Sequence, residues 1–92
     1  MKQIFKYPLE VDDYQEIRMP GDAVILDVQD QNRQIVLWAL VDRQNPEESR
    51  CFRVIGTGQP MVDDGGLVYV GSVQQWYDVG GSLVWHIFEA PQ

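Results

Sequence analysis

Gly56-Thr57-Gly58 follows a β-rich run that carries Arg50 and Arg53. Glycines let a backbone approach an anion and aim N–H groups at it, threonine adds a hydroxyl donor, and guanidinium groups pair bidentately with phosphate oxygens. Gly56, Thr57, Gly58, Arg50 and Arg53 therefore form a candidate anion or nucleotide site, and the fold can bring Arg18 and Arg33 to it. A phosphate loop, however, should open a helix whose N-terminus supplies positive field. Here Pro60 and Asp63-Asp64-Gly65-Gly66 follow, with no helical pattern. Turn geometry alone accounts for both glycines, and cross-strand pairing with the surplus acids accounts for the arginines.

Trp76-Tyr77-Asp78 suggests recognition of another kind. Adjacent residues of a strand point to opposite faces, so two neighbouring aromatics are hard to bury together. Exposed Trp and Tyr among acids are typical interface anchors. The candidate protein-binding residues are thus Trp76, Tyr77 and Asp78, with Asp63 and Asp64 adding negative charge; the plainer reading has Trp76 capping the open end of a sandwich. His86 is the sole histidine and Cys51 the sole cysteine. One of each gives neither a metal cluster nor an assignable Cys–His couple, so His86 reads as a hydrogen-bonded structural residue and Cys51 as a small, partly buried hydrophobe. The sequence offers no nucleophile–base pair, carboxylate dyad or cofactor fingerprint. The expectation is a protein without catalytic residues, metal or cofactor.

The elements that must position these residues read as strands. Gln34–Asp42 is apolar at nearly every position, which implies a central strand covered on both faces. Gln3–Tyr7, stopped by Pro8, reads as an edge or first strand. In Gln15–Met19 the pair Ile17 and Met19 share a face. In Ala23–Gln29 Val24, Leu26 and Val28 share a face while Asp27 and Gln29 look outward. Asp30–Arg33 should turn this strand into the central one as a hairpin. Arg43–Ser49 reads as an exposed polar loop, with at most one helical turn after Pro46. Arg50–Ile55 sets Phe52 and Val54 opposite Cys51, Arg53 and Ile55. Leu67–Val73 is a further strand, Gly80-Gly81 a hairpin tip, and Ser82–Glu89 closes the chain. A helical Ala23–Asp42 is disfavoured by its β-branched content and period-two alternation. The fold class expected is all-β: one domain over 1–92, a six- to seven-stranded antiparallel sandwich or partly open barrel.

Composition narrows the partners. The chain has 92 residues, 45% of them hydrophobic, and a net charge of −7. An acidic protein repels nucleic-acid backbones and suits basic partners. No Lys or Arg follows Arg53. The single cysteine, the absence of a signal-peptide pattern and the lack of a long apolar run point to a reducing cytoplasm and no membrane contact. Exposed edges such as Gln3–Tyr7 invite pairing, so a homodimer is open.

The blocks Lys-Gln-Ile-Phe-Lys-Tyr-Pro-Leu-Glu-Val, Leu-Trp-Ala-Leu-Val-Asp, Arg-Val-Ile-Gly-Thr-Gly-Gln-Pro and Leu-Val-Trp-His-Ile-Phe-Glu occur in this order along the chain. Together they resemble a family of small bacteriophage and prophage proteins known mainly as a domain of unknown function. The resemblance implies phage origin and action in the host bacterial cytoplasm, and it transfers no site residues. On it rests the expected function: a non-enzymatic accessory protein that blocks a host component, such as a nucleic-acid-binding CRISPR or other defence protein, with an acidic surface and aromatic anchors. Two alternatives stand beside it: a sponge that sequesters a small signalling nucleotide, and a minor virion or assembly protein.

Overall fold

The computed structural model describes residues 1–78 and 80–91. Seven strands account for most of the chain: β1 (Lys2–Leu9), β2 (Gln15–Pro20), β3 (Val24–Gln31), β4 (Gln34–Asp42), β5 (Glu47–Gly56), β6 (Val68–Tyr77) and β7 (Gly81–Ala90). All pair antiparallel. They form a three-stranded sheet in the order β1-β4-β3 and a four-stranded sheet in the order β2-β5-β7-β6. The two sheets are not closed into a barrel, and the described residues include no helix. The fold is an all-β sandwich.

The smaller sheet is organised by β4, which lies between β1 and β3. Its odd-numbered residues Ile35, Leu37, Ala39 and Val41 are at most 1% exposed and form one wall of the core. The opposing wall is Phe52 and Val54 of β5, Ile87 of β7, Val73 of β6 and Met19 of β2. The hairpin joining β3 to β4 turns at Asn32 and Arg33, both with positive φ (52° and 68°), as a two-residue turn matched to strand twist requires. Asp30 Oδ2 accepts the Arg33 N–H and supports a conformation that arginine rarely adopts.

β1 runs on through Pro8 to Leu9 and β6 runs on past Val73 to Tyr77, and three further features depart from the expectations above. The β3–β4 ladder shifts register between Ile25 and Asp27, placing a bulge at Leu26. One extra residue inverts the alternation, so Ile25 and Val28 pack on the core while Val24 and Leu26 are 51% and 47% exposed. The strand therefore does not set Val24, Leu26 and Val28 on one inward face. Second, β5 begins at Glu47 rather than Arg50, because Arg18, Met19 and Pro20 of β2 pair with Ser49, Glu48 and Glu47. The crossing between sheets is held by Asn45, whose Nδ2 donates to the Gly21 carbonyl at 2.8 Å. Third, among the described residues β4 is covered by a second layer on one face only. Its even-numbered positions point away from the larger sheet. Val36 is buried, but Trp38 and Leu40 are only half-buried.

The sheets approach closely where β6 passes β3. A Cβ on Gly71 would lie 2.9 Å from Val28 Cγ1, and valine, stiff at χ1, cannot easily swing aside. Gly71→Val is expected to lower unfolding free energy in urea by about 2 kcal/mol. Adding Val28→Ala should recover part of the loss. A stable Gly71→Val protein would show that the sheets are not in contact there.

Candidate functional site

The β6–β7 hairpin is longer than its neighbour. On β7, Trp85 pairs with Gly56, the last residue of β5, whereas β6 and β7 go on pairing from Gln74–Val84 to Tyr77–Gly81. The last rungs of the hairpin therefore project beyond β5. Their inner side is fixed by Gln75, only 2% exposed. Its Nε2 donates to Asp30 Oδ1 at 2.8 Å and to the Arg33 carbonyl at 3.0 Å, while its Oε1 accepts from Trp85 Nε1 at 2.9 Å and from the Tyr77 hydroxyl at 3.1 Å. This one side chain uses its full hydrogen-bonding capacity. It ties the hairpin to the β3–β4 turn of the other sheet. Arg33 reinforces the tie by pairing with Asp78 at 3.1 Å and lying 5.9 Å from the Tyr77 ring centroid.

On the opposite side of the hairpin Trp76 is 65% exposed. Adjacent Trp76 and Tyr77 thus point apart, with Tyr77 turned to Gln75 and Trp76 to solvent. Leu83, 49% exposed, joins Thr57, Val84 and Trp85 in lining a groove of about 410 Å³ at the hairpin's base. Gly56 is needed there because an added Cβ would sit 3.0 Å from the Trp85 ring.

The other candidate residues separate into different places. Arg50 and Arg53 occupy opposite faces of β5. Arg50 lies at the end of the sandwich, where its Nη2 donates to Glu89 at 2.8 Å and its Nη1 to the Ala23 carbonyl at 2.6 Å. Arg53 is 1% exposed under the segment preceding β2 and the loop after Gly56. Its Nε donates to Asp13 at 2.9 Å, its Nη1 to the Asp63 carbonyl at 3.3 Å, and its guanidinium stacks 4.7 Å from the Tyr14 ring centroid. In the glycine loop, the Thr57 N–H donates to the Val84 carbonyl, the Thr57 hydroxyl meets His86 Nε2 at 2.7 Å, and the Gly56 N–H donates to Gln59 Oε1. The arginines and these loop groups are engaged within the fold rather than gathered on one cavity. Arg18 donates to the Glu47 carbonyl, and Arg33 belongs to the hairpin.

Asp63 lies over Arg53, which pairs with Phe88, whereas Trp76 pairs with Ser82, six residues along β7. That is about 20 Å of strand. Asp63 and the aromatic tip therefore occupy two ends of the larger sheet's outer face. Cys51 is half-buried, and burial, followed by the nearby Glu16 carboxylate, pushes its thiol above the ordinary 9.0. Less of it is thiolate at neutral pH, which disfavours nucleophilic chemistry.

A family model described as a domain of unknown function, DUF7352, matches residues 1–92. The chain belongs to that family. No curated protein and no solved structure matches it.

Within this DUF7352 domain, the sequence reasoning missed Gln75, Asp13 and Tyr14. Gln75 had a signal: in β6 it shares the phase of inward Val73, so a polar side chain falls where the pattern demands an apolar one. Asp13 and Tyr14 carried none, because only the tertiary fold brings them over β5.

Arg53 is desolvated while its partner Asp13 is 59% exposed. Hydrogen bonding to Asp13 raises the Arg53 pKa, and burial opposes the shift. The guanidinium stays charged, so its cost is met only while its partners remain. Asp13→Ala, which strands a buried cation, should cost about 3 kcal/mol in urea unfolding. Arg53→Met, which removes the charge but keeps much of the volume, should cost less. The reverse order would mean that the pair is a surface contact of little consequence.

Proposed function

We propose that this protein is a non-enzymatic binding module that engages a protein partner through the projecting β6–β7 hairpin, with Trp76 as the anchor. The observation that carries the reading is a largely exposed tryptophan on a hairpin held from behind by a saturated glutamine. An anchor on a fixed scaffold loses little conformational entropy on binding. Trp76 on one side and the Leu83 groove on the other give a partner two apolar holds on the same element.

The charge suggests the partner's chemistry. A net charge of −7 with no Lys or Arg beyond Arg53 favours approach to a basic surface, and the nucleic-acid-binding face of a host protein has that character. Asp63 and Asp64 then steer the encounter from the far end of the same face, while the aromatics set its lifetime. Taken with the resemblance to phage and prophage proteins, this makes the chain an accessory factor that blocks a host defence component by covering its nucleic-acid site.

Affinity capture from bacterial lysate tests the reading. The wild-type chain should retain a basic host protein that dissociates as salt is raised and is displaced by nucleic acid. Trp76→Ala should reduce retention at least about tenfold, with its circular dichroism spectrum unchanged. Equal retention by Trp76→Ala would remove the hairpin from the interface.

A further inference from the structure

The outer face of the three-stranded sheet carries an apolar surface that no layer covers among the described residues. Its side chains fall in rows across the strands: Ile4, Leu40 and Val24; then Lys6, Trp38 and Asp27; then Pro8, Val36 and Gln29. Ile4 is 61% exposed, and the bulge turns Val24 and Leu26 outward beside it. The solvent face of an antiparallel sheet is ordinarily polar; here the central strand presents half-buried Trp38 and Leu40, while Val36 is buried where Lys6 reaches Gln31 at 3.2 Å. Charge on this face is divided by side. Lys6 flanks Trp38 from β1, and Asp27 flanks it from β3. At one end Lys2 and Asp42 form a further row, with the Met1 ammonium 3.9 Å from Asp42.

We propose that this face is the interface of an isologous dimer whose two-fold axis runs parallel to β4. Such an axis lays β1 of one copy over β3 of the other, so Lys6 meets Asp27 of the second copy twice and Trp38 packs against Trp38. An axis across the strands stacks β1 on β1 instead and, centred on the same row, sets Lys6 against Lys6 and Asp27 against Asp27. Opposite charges across an interface fix its register, and like charges suppress the alternative. The division of Lys6 and Asp27 between the two edge strands selects the first arrangement. Edge-to-edge pairing through β1 is disfavoured by Lys2, Lys6 and Pro8 on that strand.

The arrangement has a consequence for the whole assembly. An axis parallel to the strands keeps corresponding ends together, so both β3–β4 turns, and both hairpins packed on them, lie at the same end of the dimer. With sheets stacked about 10 Å apart, the two hairpin tips stand about 30 Å from each other and engage a partner bivalently. The dimer itself uses the opposite sheet and stands whether or not the hairpin binds a host protein.

Sedimentation equilibrium of the full chain tests this. The wild-type protein should be a reversible dimer. Lys6→Asp and Asp27→Lys should each raise the dimer dissociation constant about tenfold or more. Mixing the two variants should restore dimerisation, because both contacts then join opposite charges. Ile4→Lys with Leu26→Lys should give a monomer with unchanged circular dichroism, an arm that does not depend on Asp27, whose carboxylate also accepts the Val28 N–H. A monomeric wild type would overturn the proposal, as would a dimer surviving Ile4→Lys/Leu26→Lys, which would assign association to another surface such as the β1 edge. Charge variants that dimerise like wild type, or a mixture that stays monomeric, would overturn the axis.

Discussion

A two-sheet sandwich gives each sheet one dry face, and β4 brings apolar side chains for both of its faces. One set, Ile35, Leu37, Ala39 and Val41, seats against Phe52, Val54 and Ile87 and makes the core. That contact between layers is the interaction on which the rest of the structure hangs. The principal extents of 45 × 30 × 15 Å describe a thin body, so the core is little more than two layers of side chains. A domain of this size buries a modest fraction of its surface, and polar ties at its margins matter correspondingly.

Three of those ties do different jobs. Arg50, Glu89 and the Ala23 carbonyl join the sheets at one end of the sandwich. Gln75 joins them at the other end, holding the β6–β7 hairpin to the β3–β4 turn. Arg53 clamps the segment before β2 and the loop after Gly56 against the outer face of β5 through Asp13, Tyr14 and Asp63. The cations that an anion site would need are thereby absorbed into the architecture. Much of what is left exposed is apolar: Trp76 and Leu83 on the hairpin, and Ile4, Val24 and Leu26 on the other sheet.

The sequence made much of this legible. The limits of β4 agree with Gln34–Asp42, Gln3–Tyr7 lies in an edge strand, and Asp30–Arg33 forms the hairpin that its turn residues imply. Period-two alternation placed Phe52 and Val54 opposite Arg53 correctly. It failed at Ala23–Gln29 because a bulge changes phase without altering composition: Val24 and Leu26 look as inward as Val28 until the ladder is seen. It also overestimated cover on β4. Apolar content on both faces implies a buried strand only if something lies over each, and lateral neighbours supply part of that role. Lys6 reaches Gln31 at 3.2 Å from β1 to β3, across the row that holds buried Val36. The pairing of Arg53 with Asp13, forty residues apart, and the convergence on Gln75 are products of tertiary placement that no local pattern encodes.

The β6–β7 hairpin projects beyond β5 yet is as fixed as the core behind it. Amide hydrogen exchange, resolved residue by residue, tests this most directly. The cross-strand amides of the hairpin around Gln75 and Leu83 should exchange on the timescale of the β4 amides around Leu37. Exchange of those hairpin amides orders of magnitude faster than β4 would contradict it, since Trp76 would then sit on a frayed strand pair instead of a preformed surface.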